Sequence, residues 1–171
     1  MADAKSNIVL IGMPGAGKST LGIVLAKIMN YDFLDADLVI QQQCDRTLQR
    51  LIDSCGPEGF IEVENQVLSG IECEGTILAT GGSAVYSDEA MAHLSDIGTV
   101  VYLQIGFDAL AERLSDFSER GVVMRSGMGM SLRDLYDERR PLYERFAEVT
   151  VDVDGLTITE AAQKVAAAIE G

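Results

Sequence analysis

The sequence predicts a three-layer α/β fold in which a mainly parallel sheet is covered on both faces by helices. Short apolar runs alternate with helical segments from end to end, without a repeat, low-complexity tract or linker between them. The first run closes in a glycine-rich loop that opens directly into a helix. With 171 residues, 47% of them hydrophobic, the chain can bury one core, so one domain spanning 1–171 is expected.

Taken in order, residues 7–11 form an apolar strand, and residues 18–29 follow as a helix with Leu21, Val24, Leu25 and Ile28 at helical spacing. A short second strand is expected at 32–35, then helices at 38–52 and 60–71 separated by the breaker-rich stretch 54–59. Residues 76–79 and 99–103 are buried-strand candidates, each bounded by glycines, with a helix at 88–94 between them. A helix at 107–117 leads into 118–130, which holds three glycines and two arginines without a clear period and reads as a lid, bounded at about 118–131. A helix at 132–146 that includes Pro141, a strand at 149–153 and an Ala-rich helix at 159–169 complete the chain.

Thirteen Lys and Arg against 27 Asp and Glu give a formal charge of −14, which repels phosphate backbones and anionic membranes. Nucleic acid and membrane are therefore not expected partners. A small anionic substrate remains compatible, because a few convergent cations and a helix N-terminus make a local positive pocket. Cys44, Cys55 and Cys73 lack metal-site spacing and suit free thiols in a reducing compartment. No signal-like or membrane-spanning apolar run is present in the sequence, so a cytoplasmic protein is expected.

Gly12-Met13-Pro14-Gly15-Ala16-Gly17-Lys18-Ser19 matches Gly-x-x-x-x-Gly-Lys-Ser, the Walker A phosphate loop, between a strand and a helix as that motif requires. Its glycines let backbone N–H groups face phosphate oxygens, Lys18 reaches the terminal phosphates and Ser19 offers a hydroxyl to Mg²⁺. MgATP is the expected ligand. Asp35 and Asp37 end the second strand, where one carboxylate can serve the metal and the other can accept a proton; alternatively one of them caps the next helix.

At this point the chain resembles the shikimate kinases over nearly all its length. The resemblance rests on the phosphate loop with Ser19 and Thr20, Asp35-x-Asp37, Gly59-Phe60, Glu64, Thr80-Gly81-Gly82, Arg120 and Arg139-x-Pro141-Leu142-Tyr143. It implies a three-layer α-β-α P-loop kinase fold like that of nucleoside monophosphate kinases, with a five-stranded parallel sheet, a substrate-binding region at about 36–64 and a closing lid. It also implies phosphorylation of shikimate to shikimate 3-phosphate in aromatic amino acid biosynthesis. Residues Gly15, Ala16, Gly17, Lys18, Ser19 and Thr20 would hold the nucleotide, with Arg113 stacking on adenine and Arg120 stabilising the transferring charge. Ser19 and Asp35 would serve Mg²⁺, directly or through water. Asp37 would orient the substrate hydroxyl and take its proton, Gly81 and Gly82 would offer N–H groups, Arg139 would grip the carboxylate and Glu64 would face the substrate pocket. A monomer is expected.

Three positions depart from the family pattern. Ile61 follows Gly59-Phe60 where an arginine usually helps clamp the carboxylate, Ser83 replaces a third glycine, and Gly121 replaces the proline after the lid arginine. A kinase acting on another hydroxy acid or polyol is therefore the alternative reading, and a non-catalytic nucleotide-binding module is the second. His93 reads as structural, Glu62 as solvated, Arg133, Arg140 and Arg145 as partners in helix-surface ion pairs, and Met124, Met128 and Met130 as flexible cover in the lid.

Overall fold

The computed structural model of the chain describes residues 5–115 and 131–171. The expected lid at about 118–131, except Ser131, lies outside the described residues, and with it Arg120, Gly121, Met124, Met128 and Met130. The described elements run β1 (Asn7–Ile11), α1 (Lys18–Met29), β2 (Asp32–Asp35), α2 (Ala36–Cys44), α3 (Leu48–Ser69), β3 (Thr76–Ala79), a 3-10 turn (Ala84–Tyr86), α4 (Asp88–Ile97), β4 (Gly98–Gln104), α5 (Phe107–Ser115), α6 (Leu132–Phe146), β5 (Val149–Asp152) and α7 (Ile158–Glu170).

The five strands form one sheet in the order β2-β3-β1-β4-β5, and every pairing is parallel. β1 and β3 are buried at every position, as interior strands covered on both faces require, whereas β2 and β5 at the edges alternate or stay partly exposed. Asn7 closes the entry to β1 by donating to the carbonyls of Cys73 and Ile97 and accepting from the Thr76 N–H. The main core collects the sheet residues with Leu21 and Leu25 of α1, Leu135 and Tyr143 of α6, and Ala162 and Val165 of α7. Within the expected α1 stripe, Ile28 proves 46% exposed, because the stripe drifts off the sheet in the last turn.

The stretch expected as one helix at 38–52 is two helices. α2 stops at Cys44 because Asp45 adopts a left-handed conformation (φ 51°), and Thr47 then caps α3 by accepting from the Arg50 N–H. The break expected at 54–59 narrows to Gly56 (φ 74°, ψ 171°), with Pro57 opening the second half of α3. α2 and α3 share a separate small core of Ile40, Leu51, Phe60 and Val67. Ser131 caps α6 in a reciprocal capping box with Asp134, and Thr157 does the same for α7 with Glu160. Among the described residues no helix is long and apolar enough to cross a membrane.

Candidate active site

The parallel register carries the ends of β1, β2 and β3 to one edge of the sheet, where the phosphate loop, Asp35 and Thr80-Gly81-Gly82 meet. Thr80 is tied there by its N–H and hydroxyl, both donating to the Leu10 carbonyl. The loop turns through positive φ at Gly12, Gly15 and Gly17 and delivers α1 without a side-chain cap or an acidic residue in its first turn. The N–H groups at that end are thereby left for an anion.

Lys18 is 7% exposed, and its ammonium folds back onto the Gly12 and Met13 carbonyls at 2.6 and 2.9 Å. Asp35 takes the capping alternative and also bonds the phosphate loop. One of its carboxylate oxygens caps α2 by accepting from the Asp37 N–H at 2.9 Å, and the other accepts the Ser19 hydroxyl at 2.8 Å. A cavity of about 450 Å³ opens between the phosphate loop and α2–α3, lined among others by Lys18, Ser19, Thr20, Asp37, Gly81, Gly82, Arg113 and Arg139. Leu48, Ile52 and Phe60 form its apolar wall.

The floor is shaped by close approach. A Cβ at Gly81 would lie 2.8 Å from Glu64 Oε2 and 3.0 Å from Asp37 Oδ1, and one at Gly82 would lie 2.8 Å from Arg139 Nη1 and 2.7 Å from Pro14. Only glycine lets the backbone pass between these groups. Arg139 is 1% exposed; its Nε donates to the Tyr86 hydroxyl at 3.3 Å, and its guanidinium carbon lies 5.3 Å from the Tyr86 ring centroid. Tyr86 donates in turn to Glu138, and Tyr143 donates to the Gly82 carbonyl at 2.7 Å while stacking on Tyr102.

The shikimate kinase family model matches residues 14–170. The chain belongs to the shikimate kinase family. A shikimate kinase of Francisella tularensis subsp. holarctica is 38% identical over 161 residues, 93% of this chain and 92% of that protein. One of Mannheimia succiniciproducens is 37% identical over 88% of this chain and 87% of its own length. The solved structure of the shikimate kinase from Acinetobacter baumannii in complex with shikimate superposes with a TM-score of 0.86 at 30% identity, covering 98% of this chain and 94% of that one. The fold expected from the resemblance, a P-loop kinase with a five-stranded parallel sheet, is the fold observed.

Within this shikimate kinase fold the charged groups shift one another. Burial, opposed by Asp37, Asp35 and Glu64, lowers the Lys18 ammonium from 10.5 to about 8. Burial and then the charge of Asp35 raise Asp37, against the pull of Lys18. Burial lifts Glu64 from 4.5 to about 7, with Asp37 adding to the rise while the Ser83 hydrogen bond, Arg139 and Lys18 oppose it.

Lys18, Ser19, Thr20, Asp37, Gly81, Gly82, Arg113 and Arg139 thus converge as the sequence expected, and Arg113 Nη1 bonds the Gly15 carbonyl at 3.1 Å. Ala16 is buried behind the loop, 2% exposed. Glu64 lies behind Gly81 and is not among the residues lining the cavity. His93 bonds the Ile71 carbonyl, consistent with its structural reading, and Arg133–Asp137, Arg140–Glu144 and Arg145–Asp88 are surface ion pairs. Sequence reasoning missed Tyr86 as the partner of Arg139 and the apolar wall of Leu48 and Ile52. Among the described residues no group of three or more His, Cys, Asp or Glu could hold a metal.

Proposed function

We propose that this protein transfers the γ-phosphoryl group of MgATP to a hydroxyl of shikimate. The observation that carries the reading is one cavity lined by both kinds of equipment: Lys18 at the uncapped N-terminus of α1 for phosphate, and Asp37 and Arg139 for an acceptor. The solved relative bound to shikimate supports the choice of acceptor. A nucleotide-binding module without catalysis needs no buried arginine and carboxylate facing the phosphate loop.

MgATP supplies the phosphoryl group, and Ser19 and Asp35 would hold its metal. Their hydroxyl and carboxylate, 2.8 Å apart beside the loop, fit a hard ion that keeps water and phosphate oxygens as its other ligands. The loop N–H groups and Lys18 bind the β- and γ-phosphates; Lys18 gives up its two backbone carbonyls for them. Arg139 takes the acceptor carboxylate, the N–H groups of Gly81 and Gly82 hold its oxygens, and Leu48, Ile52 and Phe60 exclude water from the ring.

The acceptor oxygen forms its bond to the γ-phosphorus as the bond to the bridging oxygen breaks, ADP leaves, and the hydroxyl proton passes to the Asp37 carboxylate. The raised proton affinity of Asp37, caused by burial and by Asp35, favours that transfer. Arg120 neutralises charge on the transferring group, and Arg113 packs on the adenine. A coupled assay of ADP release over a panel of hydroxy acids and polyols tests the reading. Release that depends on added shikimate is expected; equal release without any acceptor defeats the kinase reading, and efficient use of another alcohol with none of shikimate reassigns the acceptor.

A further inference from the structure

Under the acceptor end of the cavity sits a carboxylate that the phosphoryl-transfer steps do not use. Glu64 of α3 is 1% exposed, and Ser83, 3% exposed in the turn after β3, lies between it and the cavity. The Ser83 hydroxyl donates to Glu64 Oε1 at 2.6 Å. The other oxygen, Oε2, abuts Gly81 beside Asp37 Oδ1. Asp37 from α2, Lys18 from α1 and Arg139 from α6 all act on this carboxylate, so its charge is felt by the residues assigned to the acceptor hydroxyl and to the acceptor carboxylate.

Such a group is poised between two states. A buried carboxylate next to a second carboxylate tends to take up a proton, while a hydroxyl donor and nearby cations favour the ionised form. Among these, the Ser83 bond is the first of the influences that keep Glu64 charged. Removing the hydroxyl leaves a buried acceptor oxygen without that donor.

We propose that Ser83 is a positioning residue for the acceptor, acting through Glu64. By donating to Oε1 it favours the ionised form of Glu64 and fixes the carboxylate beside Gly81, which keeps Arg139 and Asp37 in the geometry that receives the acceptor. This rests on the kinase reading of the same cavity. Of the charges that act on Glu64, Lys18 at the nucleotide end acts least, after Asp37 and Arg139, so the effect falls chiefly on acceptor binding.

The test compares wild type with Ser83→Ala and Glu64→Gln in two measurements. Carbon-13 NMR of the glutamate carboxyl groups follows the Glu64 titration without any turnover; the midpoint moves to higher pH in Ser83→Ala. Steady-state kinetics follow the Michaelis constants between pH 5.5 and 8.5. In wild type the acceptor constant breaks with the Glu64 titration. That break moves with the NMR midpoint in Ser83→Ala, where the constant at pH 7 rises about tenfold, the loss expected for one charged hydrogen bond. The break is absent in Glu64→Gln, and the ATP constant stays within about twofold in both variants.

An unmoved NMR midpoint in Ser83→Ala overturns the proposal, as does an acceptor profile that ignores the shift or an ATP constant that changes as much as the acceptor constant. If Ser83→Ala does not fold, Ser83→Thr keeps the donor and must keep both the wild-type midpoint and the acceptor profile. Absence of ADP release with every acceptor would overturn the kinase reading and this role together, whereas turnover with an unmoved break would overturn only the role of Ser83.

Discussion

The phosphate loop grows out of β1, a central strand buried at all five positions, and its helix packs into the main core through Leu21 and Leu25. The opposite wall of the cavity, α2 and α3, lies beside the edge strand β2; Ala36 and Leu68 tie it to the main core, and four further buried residues form a small core of its own. Chemistry common to any phosphoryl transfer therefore sits on the central strand and the main core, and part of the acceptor cavity sits on a wall that carries a second, smaller core. Substitutions of the groups that meet the transferring phosphoryl and its acceptor hydroxyl, Lys18 and Asp37, should act on rate, and those on the rest of the acceptor wall on acceptor affinity and on stability.

The largest effect expected is at Lys18. Replacing it with Ala removes the fixed cation from the β- and γ-phosphates, and turnover should fall about a thousandfold while the fold persists, since among the described residues the ammonium hydrogen-bonds backbone carbonyls of its own loop. Near-normal turnover in a folded Lys18→Ala protein would remove the MgATP site from this cavity. Asp37→Asn comes next. The amide keeps the shape but cannot take the hydroxyl proton, so kcat should drop about a hundredfold with ATP affinity little changed. Equal losses in both would move Asp37 to the nucleotide side and blur the division between the two ends.

A third experiment reads the acceptor end through stability. Glu64 titrates near pH 7 in the folded protein against a usual 4.5, so the native state binds the proton more tightly than the unfolded chain between those values. Its contribution is therefore present at low pH and lost as pH rises from about 4.5 to about 7. Glu64→Gln should flatten that slope: between pH 5 and 8 wild type should lose roughly 2 kcal/mol more than the variant, measured from urea midpoints. Identical pH slopes would mean that Glu64 is not held in the buried environment described for it.

The phosphate end was legible in the sequence because each of its parts is local. Strand, glycines, lysine and helix follow within 23 residues of one another, and β3 and α6 occur over the spans expected. At the acceptor end the signals were weaker or non-local. Apolar residues continue across Asp45 and Thr47, so periodicity read one helix where a left-handed residue and a cap make two. Ser83 meets Glu64 across 19 residues and Arg139 meets Tyr86 across 53, separations at which no spacing rule applies. Asp35 showed as a candidate cap and as a candidate metal group; only the folded placement of β2 beside the loop shows that one side chain both caps α2 and accepts from Ser19.

The smallest expected effect is also the one that bears most directly on the acceptor. Ile61 is half-buried on α3, directly after Phe60 of the cavity wall and three residues before Glu64, so the two share a helix face. A guanidinium at this position can reach Glu64, pair with it and present its remaining donors toward the acceptor carboxylate that Arg139 of α6 takes from its own side. If shikimate is the acceptor, Ile61→Arg should lower its Michaelis constant several-fold, less than a fully buried ion pair would give, because the site is only half-buried. If Ile61 instead forms an apolar surface against a different alcohol, the same substitution places a charge there and raises the constant for that alcohol. Measuring wild type and Ile61→Arg against shikimate and against the best alternative from the acceptor panel separates the two. Improved use of shikimate by the variant fixes the carboxylate at this wall; no phosphorylation of shikimate by either protein, beside efficient use of another alcohol by wild type, ends the assignment of shikimate and leaves the phosphate end of the comparison intact.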